Sequence, residues 1–211
     1  MLRVAIVTCF LFCLPSLAKP QNASTPSTPR LELSSGYSHL WTDSRPPAFF
    51  GDFIDQRLHG WNASACGNVN GWLGVVADYS HYYGSTVDTF VPFRMPEFGK
   101  DKLFIDSFMV GPRASIRRHK RVTPYAQALF GVVRAKAHIR GIDTRGVFID
   151  KGFGLSVGGG VDININEWVG VRPIQGEYLQ GRVLNNEIFS EPLIRHNVRI
   201  TGGVVFRFGR R

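Results

Sequence analysis

The end of the chain alternates strictly between apolar and polar residues. Val198, Ile200, Gly202, Val204, Phe206 and Phe208 fall on one face, and Asn197, Arg199, Thr201, Gly203, Val205 and Arg207 fall on the other. Successive side chains of an extended strand point to opposite sides, so a period of two specifies a strand with one face in an apolar medium. Leu155, Val157, Gly159, Val161 and Ile163 alternate likewise with Ser156, Gly158, Gly160, Asp162 and Asn164. Trp61, Ala63, Ala65, Gly67 and Val69 alternate with Asn62, Ser64, Cys66 and Asn68, and Val110, Pro112, Ala114 and Ile116 with Gly111, Arg113, Ser115 and Arg117. No segment has an equally good helical period, so the chain reads as all-β.

Eight strands are predicted, at about 30–41, 60–69, 72–83, 102–117, 122–139, 152–164, 168–183 and 195–208. The connections alternate in length. Those after the second, fourth and sixth strands are tight: Asn70-Gly71, the basic turn Arg118 to Arg121, and Ile165 to Glu167. Asn-Gly is the favoured two-residue hairpin turn, because both residues tolerate positive φ. The other connections are longer and carry Pro46-Pro47, Pro92, Pro96, Gly141, Gly146 and Pro192. Tight turns at one end and long loops at the other are the wiring of an outer-membrane barrel, with both termini at the short-turn, periplasmic end.

The N-terminus agrees with export. Arg3, the apolar run Val4 to Leu14 broken only by Thr8, Pro15 and the small-residue Ser16-Leu17-Ala18 site have the layout of a secretory signal, residues 1–18. Residues 19–29 form a polar, proline-rich spacer, 30–208 the barrel and 209–211 a basic tail. Cys9 and Cys13 leave with the signal, so Cys66 stands alone and no disulfide forms within the mature chain. Bulky Phe10, Leu11 and Phe12 before Cys13 argue against a lipid anchor. No later stretch approaches the roughly 20 apolar residues of a membrane-spanning helix. The mean hydropathy of -0.05 still permits a barrel, whose strands show only alternate residues to lipid.

In hydrocarbon every backbone donor and acceptor must be paired internally, so a sheet crosses a membrane only when closed. The apolar faces would then meet lipid. The inward faces offer Glu32, Asp78, Asp162, Arg113, Arg172, Arg199 and Arg207. An eight-stranded bore is just wide enough to be filled by side chains, and buried charges must pair. An internal salt-bridge network that plugs the lumen is expected. Trp61, Trp72, Tyr125, Trp168, Phe206 and Phe208 lie near strand ends, where interfacial girdles place aromatics. Pro112 and Pro173 fall inside strands and mark expected bulges. In the seventh strand either Gln175 and Glu177 or Gly176 and Tyr178 point inward.

The terminal strand Arg199-Ile200-Thr201-Gly202-Gly203-Val204-Val205-Phe206-Arg207-Phe208 resembles that of bacterial outer-membrane barrels. Leu33-Ser34-Ser35-Gly36-Tyr37-Ser38, Gly111-Pro112-Arg113, Val122-Thr123-Pro124-Tyr125-Ala126 and Gly158-Gly159-Gly160-Val161-Asp162 extend the likeness. Over residues 30–208 the chain is similar to the small group related to the eight-stranded domain of outer membrane protein A. The resemblance implies an eight-stranded antiparallel up-and-down transmembrane β-barrel. It also implies that Val204, Phe206 and Phe208 serve as the signal read by the barrel-assembly machinery during biogenesis.

The formal charge of +9 includes two basic clusters. Arg117, Arg118, Lys120 and Arg121 lie at a short turn, and Arg134, Lys136, Arg140, Arg145 and Lys151 surround the third long connection. An exported barrel meets anionic lipid before nucleic acid, so Arg117, Arg118, Lys120, Arg121, Arg134, Lys136 and Arg140 are expected to contact phospholipid and lipopolysaccharide phosphates. No nucleic-acid partner is expected. No histidine lies two to four residues from another or from a cysteine, so the six histidines read as solvated loop residues, with no metal site and no cofactor. No nucleophile is paired with a base, which leaves a non-catalytic membrane barrel whose long loops meet an extracellular ligand or give adhesion. The competing classes are an exported lipocalin-like barrel holding an apolar ligand and a lipid-modifying outer-membrane enzyme.

Overall fold

A computed structural model describes residues 28–43, 57–85, 102–119, 121–140, 145–181 and 196–210. The segment expected to be a signal peptide, most of the expected spacer, and Lys120 and Arg211 lie outside these residues. Eight antiparallel strands form one closed barrel in sequence order. They are β1 (Pro29–Asp43), β2 (Arg57–Asn68), β3 (Leu73–Ser85), β4 (Lys102–Ser115), β5 (Val122–Arg140), β6 (Arg145–Asn164), β7 (Val169–Gly181) and β8 (His196–Arg210). Closure comes from β1 against β8, with Leu31 opposite Phe208 and Trp41 opposite Val198. Every strand therefore has two neighbours, and the sheet has no long edge to satisfy.

Three boundaries differ from the sequence reading. Pro29 and Arg210 are strand partners, so the spacer ends earlier and most of the basic tail belongs to β8. Gly209 takes φ of 65°, a conformation that only glycine adopts readily. The third long connection shrinks to residues 141–144, because β6 starts at Arg145 rather than near residue 152. Gly146, which suggests a loop, is carried instead in a β5–β6 ribbon that extends beyond β7, whose last residue Gly181 pairs with Gly154.

The turns after β2 and β6 follow one design. Val69 and Asn70 donate to the Leu73 carbonyl, while Asn70 Oδ1 accepts from the amides of Trp72 and Leu73. Ile165 and Asn166 repeat these bonds with Val169, and Asn166 Oδ1 accepts from Trp168 and Val169. Asparagine is favoured because its side chain stands in for a backbone acceptor. Gly71 is not at positive φ, so the expected two-residue turn is replaced by this side-chain-capped one. Both turns expose a tryptophan, Trp72 and Trp168, at the short-turn rim.

The barrel is apolar outside and mixed inside. Leu33, Val75, Phe108, Phe130, Val157 and Val204 represent a continuous outward band of exposed apolar residues. A patch that encircles the molecule is far beyond what a soluble monomer shows, and it suits a lipid solvent. Pro112 points outward and interrupts the β4–β5 ladder without shifting it, since Val110 opposite Phe130 and Arg113 opposite Gln127 keep one register. Pro173 does mark a bulge. The β7–β8 register shifts between Arg172 and Gln175, and Pro173 and Ile174 both face outward.

Candidate functional site

The bulge in β7 settles which side chains enter the bore. Arg172 points inward before it, and Gln175, Glu177 and Leu179 point inward after it. Glu177 thereby comes directly opposite Arg199 of β8, just as Glu32 of β1 comes opposite Arg207. All seven charged residues assigned to the lumen from sequence are buried on the inner face.

Arg199, at 0% exposure, lies at the centre. Its Nε donates to Glu177 Oε2 at 2.6 Å, and its Nη1 donates to Asp78 Oδ1 at 3.0 Å and Ser80 Oγ at 2.6 Å. Nη2 also pairs with Glu177. The remaining carboxylate lone pairs are served by neutral donors. Gln127 Nε2 and Ser156 Oγ donate to Glu177 Oε1, Gln175 Nε2 donates to Glu177 Oε2, and Asn62 Nδ2 donates to Asp78 Oδ2. Charge-assisted bonds of this kind are about twice as strong as neutral ones, which offsets part of the desolvation of the ions.

A second centre lies nearer the short turns. Arg172 grips Asp162 with two bonds, Nε to Oδ1 at 2.7 Å and Nη2 to Oδ2 at 3.1 Å. Its Nη1 donates to Gln175 Oε1 and Ser34 Oγ. Glu32 meets three arginines: Arg117 at 2.9 Å, Arg113 at 3.8 Å and Arg207 at 3.9 Å. Arg207 also approaches Asp162, at 4.0 Å. Tyr125 is stacked between Arg113 and Arg172, whose guanidinium carbons lie 4.4 and 4.7 Å from its ring centre. Its hydroxyl donates to Gln175 Oε1 at 2.7 Å.

Three assignments change. Tyr125, expected in the interfacial girdle, is an inner-wall residue that separates two like charges. Arg117, grouped with the lipid-facing turn, reaches inward to Glu32, Asn68 and the Gly71 carbonyl. Glu177, left open between two orientations, is a principal anion of the network. Its parity was hidden by the bulge, and inward Arg199 in the facing strand was the sequence signal for it.

The other half of the bore is mainly apolar, with Thr42, Ser107 and Asn197 interspersed. Towards the long-loop end Leu40, Leu58, Tyr82, Ile105, Val133 and Leu179 point inward and are buried, with Met109 and Leu129 beneath them. The sequence reading stressed inward charge and missed this layer. Of the basic residues assigned to lipid, Arg118 and Arg121 are exposed at the short turn. Arg134 and Lys136 lie on the outer wall at the opposite end, where Lys136 Nζ is 3.8 Å from Asp106. Arg140 ends β5, and Lys120 falls outside the described residues. Val204, Phe206 and Phe208 all face outward on β8. Among the described residues no group of three or more histidine, cysteine or acidic side chains converges to hold a metal.

A closed eight-stranded barrel with an apolar outer wall and paired charges on its inner face defines the class: a small up-and-down barrel of the bacterial outer membrane. The chain belongs to the outer membrane protein beta-barrel domain family, whose match covers residues 5–208. Its fold is similar to that of Ail, the attachment invasion locus protein of Yersinia pestis, with a TM-score of 0.58 at 16% identity over 84% of this chain and 97% of that one. Neisserial surface protein A gives 0.57 at 16% identity over 86% and 99%. OprG of Pseudomonas aeruginosa gives 0.57 at 9% identity over 89% and 99%. No curated protein sequence matches the chain. The protein resides in the outer membrane, which removes the soluble lipocalin-like alternative.

Proposed function

We propose that the protein is a non-catalytic outer-membrane barrel with a closed lumen, which supports the envelope structurally and presents its long-loop end to extracellular ligands. The observation that carries this reading is Arg199, wholly buried, bonded across the bore to Asp78 and along the wall to its neighbour Glu177, beneath a largely apolar layer. An ion or small solute passing through would have to displace both the charge network and the side chains above it.

The long-loop end supports an interaction role. Arg134, Lys136, Arg140, Arg145 and Lys151 lie on the β5–β6 ribbon, which extends past β7. Basic residues near an anionic membrane surface gain on the order of 1 kcal/mol each, so lipopolysaccharide phosphates fit this end, and phospholipid headgroups fit Arg118 and Arg121 at the other. Ail of Yersinia pestis has been solved with the heparin analogue sucrose octasulfate. The basic ribbon here supports a similar preference for polyanionic surface ligands. Outward Val204, Phe206 and Phe208 on the closing strand suit recognition by the assembly machinery.

Reconstitution in planar bilayers tests the closed lumen. The expected result is no sustained conductance from the folded, monodisperse protein, with rare small openings that become more frequent in Arg199→Ala. Stable, large, ohmic conductance from the unmodified protein would refute the reading.

A further inference from the structure

Two histidines that lie far apart in sequence meet on the outer wall. His39 of β1 is directly opposite His59 of β2, at the end of the barrel from which residues 44–56 lead away. Their Nδ1 atoms are 3.1 Å apart, and the rings meet at 65° with centroids 4.6 Å apart. Trp41 packs edge-on against His39 at 4.1 Å between ring centres. The Tyr37 hydroxyl contacts the same Nδ1 of His59. One nitrogen thus faces both a second imidazole and a phenol oxygen.

Two such nitrogens can hydrogen-bond only when one carries the proton and the other offers its lone pair. A metal ion uses both lone pairs at once. Metal–imidazole bonds of about 2.0–2.1 Å, at angles between square and tetrahedral, put neighbouring donor atoms about 2.9–3.4 Å apart. The observed separation falls inside that window with no movement of the strands. Imidazole suits copper, nickel and zinc, and a phenol oxygen is a plausible third donor for the same ions.

We propose that His39 and His59, with Tyr37 beside them, form a chelating site for one divalent transition-metal ion on the outer wall at the long-loop end of the barrel. The ion would tie β1 to β2 at the base of the connection between them. The remaining coordination positions are left for external donors, since His59 and Tyr37 are exposed on the outer face. Of the other histidines, His81 contacts Asp106, His196 contacts Tyr178, and His119 sits exposed in the basic turn.

The test uses the full-length, tag-free protein folded in detergent micelles and titrated with Cu²⁺, followed by calorimetry and electron paramagnetic resonance. One saturable equivalent with hyperfine structure from two imidazole nitrogens is expected. His39→Gln and His59→Gln should each weaken binding by about tenfold or more, because losing one imidazole removes the intramolecular second contact. Tyr37→Phe should weaken it less, and His119→Gln and His196→Gln should leave it unchanged. Folding of each variant is checked by heat-modifiable gel mobility. If the histidine variants fail to fold, the nitrogen hyperfine signal of the unmodified protein decides alone. Absence of saturable binding, a signal lacking two imidazole nitrogens, or undiminished binding in a folded His39→Gln/His59→Gln double variant would overturn the proposal.

Discussion

Replacing Arg199 with methionine keeps much of the side-chain volume and removes the one cation that Asp78 and Glu177 share. Breaking a buried ion pair by deleting one partner costs about 3–5 kcal/mol, because the other charge stays in the interior uncompensated. Two anions are stranded here, but neither is left bare. Glu177 keeps Gln127, Ser156 and Gln175, and Asp78 keeps Asn62 and Ser80. These donors place the expected loss near the lower bound, at about 3 kcal/mol. Neutralising the stranded acids should recover most of it, since a buried ion network replaced by uncharged groups is often neutral. Arg199→Met/Glu177→Gln/Asp78→Asn is therefore expected within about 1–2 kcal/mol of the parent. Equilibrium urea unfolding in lipid vesicles, followed by tryptophan fluorescence, measures both. A loss below about 1 kcal/mol in Arg199→Met, or no recovery in the triple variant, would show that the network does not carry the assigned energy.

Two further perturbations probe the walls on either side of the sheet. Val204→Arg puts a charge on the lipid face and should cost roughly 2–4 kcal/mol if near the bilayer midplane, while Thr144→Arg in the β5–β6 connection should be almost silent; equal folding yields would mean the faces are reversed. Tyr125→Phe should lose about 1 kcal/mol through the hydroxyl bond to Gln175, and Tyr125→Leu about 1–2 kcal/mol more by removing the ring between Arg113 and Arg172. Matching unfolding midpoints for the two Tyr125 variants would exclude a cation–π contribution.

How far the fold could be read from sequence depended on phase. Where alternation ran unbroken, as in β8, every face was legible, and Arg199 and Arg207 were placed on the inner wall from spacing alone. Short-range rules failed where a tertiary contact decided between equal options. Arg117 follows the inward parity of β4, yet its basic neighbours suggested a surface cluster; Glu32, Asn68 and the Gly71 carbonyl, all distant in sequence, hold it inward. Tyr125 looked interfacial by position, although its parity matches inward Gln127. The histidine pair was invisible to any spacing rule, because His39 and His59 become neighbours only through the β1–β2 register. The apolar upper bore was underestimated because charged inward residues attract notice and buried leucines in a mixed pattern do not.

The bulge in β7 offers the sharpest test of phase. Between Arg172 and Gln175 the strand spends one more residue than β8 spends between Gly203 and Thr201. The β6 side shows the same excess between Val171 and Ile174, opposite Ile163 and Val161. A bulge adds twist and locally interrupts the ladder, and proline is tolerated there because its missing donor is not needed. Deleting Pro173 would leave Ile174 as the single outward residue between inward Arg172 and inward Gln175, restoring a regular ladder on both sides. Glu177 would still face Arg199. Deleting Gly176 instead leaves the bulge but reverses the parity after it, turning Glu177 towards lipid and Tyr178 into the bore. The first variant should fold with a yield close to the parent and lose only local twist. The second should fail, since it exposes a carboxylate to hydrocarbon and strands Arg199 with Asp78 alone. Heat-modifiable gel mobility after refolding into vesicles separates the outcomes. Equal failure of both deletions would mean that the added twist, rather than the parity it preserves, is what the barrel requires.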